Sequence, residues 1–194
     1  MGLFQIKPDI HYGANSLDIL RTMEIEKVFL VTDENMVKLK VVNRITNILK
    51  SRGIDAKIYS DVKPDPTDEE IIKGMLELSA YDPDCIIALG GGSPIDACKS
   101  MIYFTNKIKR AMGEYKKPKF IAVPTTSGTG SEVTSYAVVT TQSKKIPLSD
   151  SEMLPDIAIL NPEFIKTLPP SIIADTGMDV LTHAIEAYVS RSRN

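Results

Sequence analysis

Cys85-Ile86-Ile87-Ala88-Leu89-Gly90-Gly91-Gly92-Ser93-Pro94 is the stretch from which the fold can be read. Five apolar residues without polar alternation indicate a strand buried on both faces, the signature of a parallel sheet. The glycines end the strand, and Pro94 opens a helix expected to reach about Phe104, with proline at its first position. Without Cβ atoms at such a turn, backbone N–H groups approach an anion closely, and the helix N-terminus adds the positive end of its dipole. A tight structural turn would use the same residues, but three successive glycines followed by serine favour phosphate binding. The stretch is neither a G-x-G-x-x-G fingerprint nor a P-loop, since no Gly-Lys-Ser/Thr follows.

Outward from this turn, strand and helix patterns alternate. Val28-Phe29-Leu30-Val31-Thr32 is another buried strand, followed by a helical pattern through Val37, Val41, Ile45, Ile48 and Leu49 that stops near Gly53. Ala56 to Tyr59 is a strand, and Thr67-Asp68-Glu69-Glu70 is a capping box opening a helix to about Ala80. Phe120 to Val123 and Ile157 to Leu160 are further strands. Tyr136 to Thr141 and Ile146 to Leu148 form an expected hairpin with Gln142-Ser143-Lys144 near its tip. The alternation predicts an α/β fold, a doubly wound, mostly parallel sheet with right-handed crossovers. Around Pro169 the pattern becomes purely helical, with a final helix from about Ser171 or Asp175. Residues 1–170 are therefore expected to form one α/β domain, and 171–194 the start of a helical one.

Composition narrows the function classes. The 194 residues are 43% apolar and 25% charged, with a net charge of −2, ordinary values for a soluble domain. The basic run from Lys107 to Lys119 is interrupted and reads as a solvated loop, so neither nucleic acid nor membrane is expected as a partner. No stretch approaches the ~20 apolar residues of a bilayer span, and Met1 to Ile10 lacks the pattern of a signal peptide. The cytoplasm is the expected compartment. Cys85 and Cys98 make no disulfide framework and read as small buried hydrophobes.

Three further features carry chemistry. Pro124-Thr125-Thr126-Ser127-Gly128-Thr129-Gly130-Ser131-Glu132 follows a strand end and offers several hydroxyls for phosphate, ribose or carboxamide oxygens, or else is an exposed polar loop. Ser127 lacks the G-x-S-x-G elbow of a hydrolase nucleophile. Asp33, ending its strand, could accept hydrogen bonds from an adenosine ribose and repel a 2′-phosphate, or could simply open a helix. Asp179 and His183 lie one turn apart on a helix face, a spacing at which carboxylate and imidazole can grip one divalent ion. Two ligands rarely hold a catalytic metal, and His11, the other histidine, lies at the far end of the chain. Either the remaining ligands come from elsewhere or the chain is part of a larger enzyme.

Together these segments resemble the iron-dependent (group III) alcohol dehydrogenases. The resemblance rests on Gly90 through Asp96, Pro124 through Glu132, Asn161-Pro162-Glu163, Leu168-Pro169-Pro170 and Thr176 through Ser190, in family order. It implies an N-terminal α/β domain that binds the dinucleotide, and an all-helical domain of which only the first helix is present here. It further implies that Gly91, Gly92 and Ser93 line the pyrophosphate, with Asp96 supporting the loop or reaching toward the nicotinamide. Thr125, Thr126, Thr129 and Val138 would face the cofactor, Lys145 the ribose, and Asp33 would set a preference for NAD. Asp179 and His183 would be the first two of four metal ligands, the others being histidines of the helical domain.

The implied reaction is hydride transfer between NAD(H) and a small primary alcohol or aldehyde. Fe²⁺ would polarise the oxygen, Zn²⁺ being equally compatible with the donor pair. Among subfamilies the look is closest to the 1-propanol dehydrogenases of propanediol utilisation. A homo-oligomer is expected at full length, and the 194-residue portion alone is expected to be inactive. The alternatives are a zinc-dependent polyol dehydrogenase of the same superfamily and a non-catalytic nucleotide-binding or interaction module.

Overall fold

Parallel pairing of apolar runs builds the core of this protein. A computed structural model describes residues 7–141, 144–166 and 168–191. The strands are β1 (Asp9–Tyr12), β2 (Lys27–Asp33), β3 (Asp55–Val62), β4 (Cys85–Gly90), β5 (Lys119–Pro124), β6 (Tyr136–Thr141), β7 (Lys144–Ser149) and β8 (Ile157–Leu160). The helices are α1 (Glu34–Lys38), α2 (Asn43–Ser51), α3 (Asp68–Tyr81), α4 (Gly92–Met112), α5 (Pro162–Ile165) and α6 (Pro170–Val189). Six strands form one parallel sheet in the order β1-β8-β5-β4-β2-β3, and β6 and β7 form a separate antiparallel pair.

All six residues of β4 are buried. Successive side chains of a strand point to opposite faces, so Cys85, Ile87 and Leu89 join one core layer with Leu30, Ile45 and Leu49. Ile86 and Ala88 join the other with Phe29, Ile95 and Met101. Helices therefore cover both faces, as a parallel sheet requires. Both cysteines are fully buried, and burial pushes their thiols well above the ordinary range, Cys85 to about 12. Their reading as small buried hydrophobes holds.

Several boundaries differ from the expected ones. The helical pattern from Val37 to Leu49 is two helices, α1 and α2, separated by a turn at which Lys40 adopts φ 57°. The periodicity survives because Val41 and Val42 of the turn still point into the core. α4 is longer than expected at both ends: Gly91 is its N-cap, and Pro94 is its third rather than its first residue. Proline is tolerated there because the first N–H groups of a helix have no partner within it. Toward the other end Ile102, Thr105 and Asn106 stay buried, and the helix continues to Met112. Lys107 through Met112 of the basic run is thus helix, not loop. The edge strand β1, four residues paired with β8, was too short and too polar to be read from the sequence. The β6–β7 hairpin is as expected, although Gln142 and Ser143 at its tip lie outside the described residues.

The capping box is present at the start of α3: Glu70 N–H donates to the Thr67 hydroxyl, and Thr67 N–H donates to Glu70 Oε2 at 3.0 Å. Replacing Thr67 with alanine should cost about 1 kcal/mol. That corresponds to a fall in Tm of roughly 2–4 °C for a chain of this size, to be read by calorimetry against the wild type.

Candidate functional site

β4 and β5 run parallel with Gly90 level with Pro124, so the loops that leave them emerge side by side. Thr125 N–H donates to the Gly90 carbonyl at 2.9 Å and continues the ladder one step past the strands. The two loops then pack against each other through glycine. A Cβ on Gly91 would stand 3.2 Å from Thr126 Oγ1, and one on Gly92 would stand 3.0 Å from Thr129 Cγ2. A side chain at either position would require the facing threonine to give by a few tenths of an ångström. Gly92 and Ser93 are the first two residues of α4, so their N–H groups belong to the unpaired set that attracts anions.

Asp33 sits at the end of β2 and caps α1. Its Oδ1 accepts from Asn35 N–H at 2.8 Å and Met36 N–H at 3.1 Å. The other oxygen, Oδ2, lies 3.4 Å from the point where a Cβ of Gly90 would be. Opening a helix and facing the glycine loop are therefore compatible at this one carboxylate.

Asp96 accepts from the Ser131 hydroxyl at 2.9 Å and from Val138 N–H at 3.0 Å. It fastens both the second loop and β6 to α4. Burial raises the pKa of this carboxyl, while the two hydrogen bonds and the Lys99 ammonium act in the opposite direction. Lys99, one helical turn on, is fully buried. Its Nζ donates to the Tyr136 carbonyl at 2.7 Å and to the Thr134 hydroxyl at 3.1 Å. Burial draws this ammonium down to about 8. Sequence reasoning missed Lys99. The available signal was a lysine on the apolar face of α4, between Ile95 and Ile102 and three residues after Asp96.

These fastenings shape a cleft of about 460 Å³. Gly92, Ser93 and Asp96 line it from α4, Thr129 from the second loop, and Val138 and Lys145 from the hairpin. Asp179 and His183 of α6 close one side. Lys145 is paired with Asp65 at 2.6 Å, with both side chains largely exposed. Asp33, Gly91, Thr125 and Thr126 do not line the cleft. They stand behind it at the strand ends, Thr125 being buried.

Asp179 and His183 face each other across one helical turn, with Oδ1 and Nε2 3.8 Å apart. His183 Nδ1 lies 3.0 Å from the Gly128 carbonyl oxygen. Among the described residues no group of three or more His, Cys, Asp or Glu side chains is placed to hold a metal. His11 is on the edge strand β1. The pair is a fit for part of a divalent-cation site, with one oxygen and one nitrogen donor.

A family model described as iron-containing alcohol dehydrogenase matches residues 8–162, most of the chain. The chain belongs to the iron-containing alcohol dehydrogenase family. It is 40% identical over 200 residues to the NADPH-dependent butanol dehydrogenase of Clostridium saccharobutylicum, covering 96% of this chain and 52% of that protein. It is 36% identical to the 1-propanol dehydrogenase PduQ of Citrobacter freundii, covering 98% of this chain and 50% of that one. Among solved structures, sulfoacetaldehyde reductase from Bifidobacterium kashiwanohense in complex with NAD⁺ superposes with a TM-score of 0.85 at 29% identity. That match covers all of this chain and 55% of the other. The chain thus spans about half the length of these relatives. No helix among its described residues is long and apolar enough to cross a membrane.

The Lys99 pKa yields a test of the network behind the cleft. The folded value, about 8, lies below the ~10.4 of an unfolded lysine, so folding opposes the charged form. Stability contributed by Lys99 should therefore rise as pH climbs from about 8 toward 10.4, and be lost as pH falls through 8. The neutral amine keeps two N–H donors for its two acceptors. Melts of the wild type and Lys99→Met between pH 7 and 10 should show the wild type gaining on the variant as pH rises. A constant difference would mean that Lys99 titrates normally.

Proposed function

We propose that this chain binds NAD(H) between its two glycine-bearing loops and serves hydride transfer to and from a small primary alcohol or aldehyde. The observation that carries this reading is the single cleft in which the α4 N-terminus, the second loop, the hairpin and the Asp179/His183 pair meet. Gly91, Gly92 and Ser93 present N–H groups to the pyrophosphate. Thr125, Thr126, Thr129 and Val138 form the opposing wall or its backing, and Asp96 holds that wall in place. Lys145 reaches the ribose, exchanging its contact with Asp65 to do so. Asp33 Oδ2 meets the adenosine ribose and repels a 2′-phosphate, which favours NAD over NADP. The Clostridium relative is named as NADPH-dependent, so position 33 is where the two would be expected to part.

Asp179 and His183 would hold a divalent cation at the end of the cleft. When bound, that cation supplies Lewis-acid polarisation of the substrate oxygen, and the dinucleotide donates or accepts the hydride. Iron is the family's metal, and zinc suits the same donors. We assign residues 1–170 to dinucleotide binding and 171–194 to the start of a helical unit that completes the metal site. Val180, Leu181, Ile185 and Val189 of α6 are exposed apolar residues that such a unit, or a second copy of the chain, would cover. The names of the butanol and 1-propanol relatives point to short aliphatic alcohols; a zinc-dependent polyol dehydrogenase is the alternative that the same donor pair would suit. A second reading, a nucleotide-binding module without catalysis, draws support from the pair having no third ligand among the described residues.

Calorimetric titration with NADH, with and without Fe²⁺ under anaerobic conditions, tests the proposal. Saturable binding that iron barely alters, with no turnover of added alcohol, is expected from the 194 residues alone. A sample that melts cooperatively yet binds no NADH would overturn the reading of the two loops. In a chain that binds, Asp33→Gly should bring NADPH affinity within a few-fold of NADH affinity. Glycine is a tolerated N-cap costing only a few tenths of a kcal/mol, so folding should be retained. Unchanged selectivity would remove Asp33 from the site.

A further inference from the structure

Gly128 lies on the second loop between Thr126, which packs on Gly91, and Thr129, which packs on Gly92. Its φ of +120° is one that L side chains rarely adopt. A Cβ at this position would meet the Thr176 carbonyl oxygen at 2.5 Å, and Asp179 at 3.1 Å (Oδ2) and 3.3 Å (Cβ). The first of these is backbone, which cannot swing aside. Thr176 and Asp179 are also the two residues of α6 that are partly buried, every other residue of that helix being exposed. The notch left by the missing Cβ is therefore where α6 rests on the α/β body.

The same residue orients an imidazole. A carbonyl oxygen can only accept, so the 3.0 Å contact of His183 Nδ1 with the Gly128 oxygen places the ring proton on Nδ1. In the neutral ring Nε2 then carries the lone pair, and Nε2 is the nitrogen that faces Asp179 Oδ1 at 3.8 Å. Two metal–ligand bonds of ~2.0–2.2 Å can span that separation. A histidine ligand held through its other N–H by a backbone carbonyl is the common arrangement around protein metals.

We propose that Gly128 is a positioning residue: its missing Cβ seats α6 against the cofactor loop, and its carbonyl fixes His183 with Nε2 turned toward Asp179. The role toward a cation rests on the metal reading above, whereas the seating and the ring orientation stand on geometry alone. One loop would thus set both where the dinucleotide lies and where the ligand pair points.

The test is a long-range ¹H–¹⁵N correlation on the ¹⁵N-histidine-labelled chain, at a pH where the rings are neutral. The protein has two histidines, and His11→Gln assigns the signals. The wild type should show His183 as the Nδ1–H tautomer. Gly128→Ala should lose that signature and give the tautomer mixture of an unattached ring. Gly130→Ala is the control, since Gly130 also has positive φ (64°) but a Cβ there would meet nothing within 4 Å; it should keep the wild-type signature. A wild-type His183 carrying its proton on Nε2 overturns the proposal without any variant being needed. A Gly128→Ala spectrum unchanged from the wild type overturns it as well. Zinc added to the wild type should shift Nε2. An Nδ1–H ring that ignores zinc would sink the metal reading while supporting the seating by Gly128.

Discussion

The register between β4 and β5 is the constraint on which the rest of this structure depends. Because Gly90 stands level with Pro124, the two chains leave the sheet at the same height and one strand spacing apart, ~4.8 Å. Two loops so close can coexist only where side chains are missing or small. Gly91 and Gly92 provide this on one side, and the threonines of the second loop fill the space so created. A one-residue slip would turn Ile86 and Ile87 to the wrong core layers. The apolar sheet thus holds the polar loops in place from below.

Polar groups take over above the sheet. Asp96 and Lys99, one turn apart on α4, reach the second loop and the start of β6 with opposite charges. A buried ammonium and a mostly buried carboxylate are costly unless their hydrogen bonds are met. Here each has two partners, and those partners are the backbone and hydroxyls of the cleft wall. These four hydrogen bonds tie the wall to α4, an arrangement that suits the binding role proposed for it.

How much of this was legible in the sequence depended on how local the signal was. The runs at Val28, Cys85, Phe120 and Ile157 announced buried strands because burial on both faces removes polar alternation. The Thr67 capping box and the strand-to-helix turn at Gly90 to Gly92 were readable because each acts within a few residues. The break at Lys40 was not, because Val41 and Val42 continue the apolar spacing through the turn. β1 was not, because an edge strand of four residues needs only its partner β8. Lys99 and Gly128 matter through groups 35 or more residues away, which no spacing rule reaches. The Asp179–His183 pair was legible as i, i+4, but its carbonyl support was not.

The cap made by Asp33 has a consequence for how this position can change over evolutionary time. One oxygen of the carboxylate holds the first N–H groups of α1, and the other faces the glycine loop. If Asp33 sets nucleotide preference as proposed, any drift in that preference must pass through residues that still terminate a helix. Asparagine, serine and glycine satisfy that demand, whereas alanine or valine would cost about 1 kcal/mol at the helix start. Secondary structure in this way acts as a filter on the routes by which specificity can diverge.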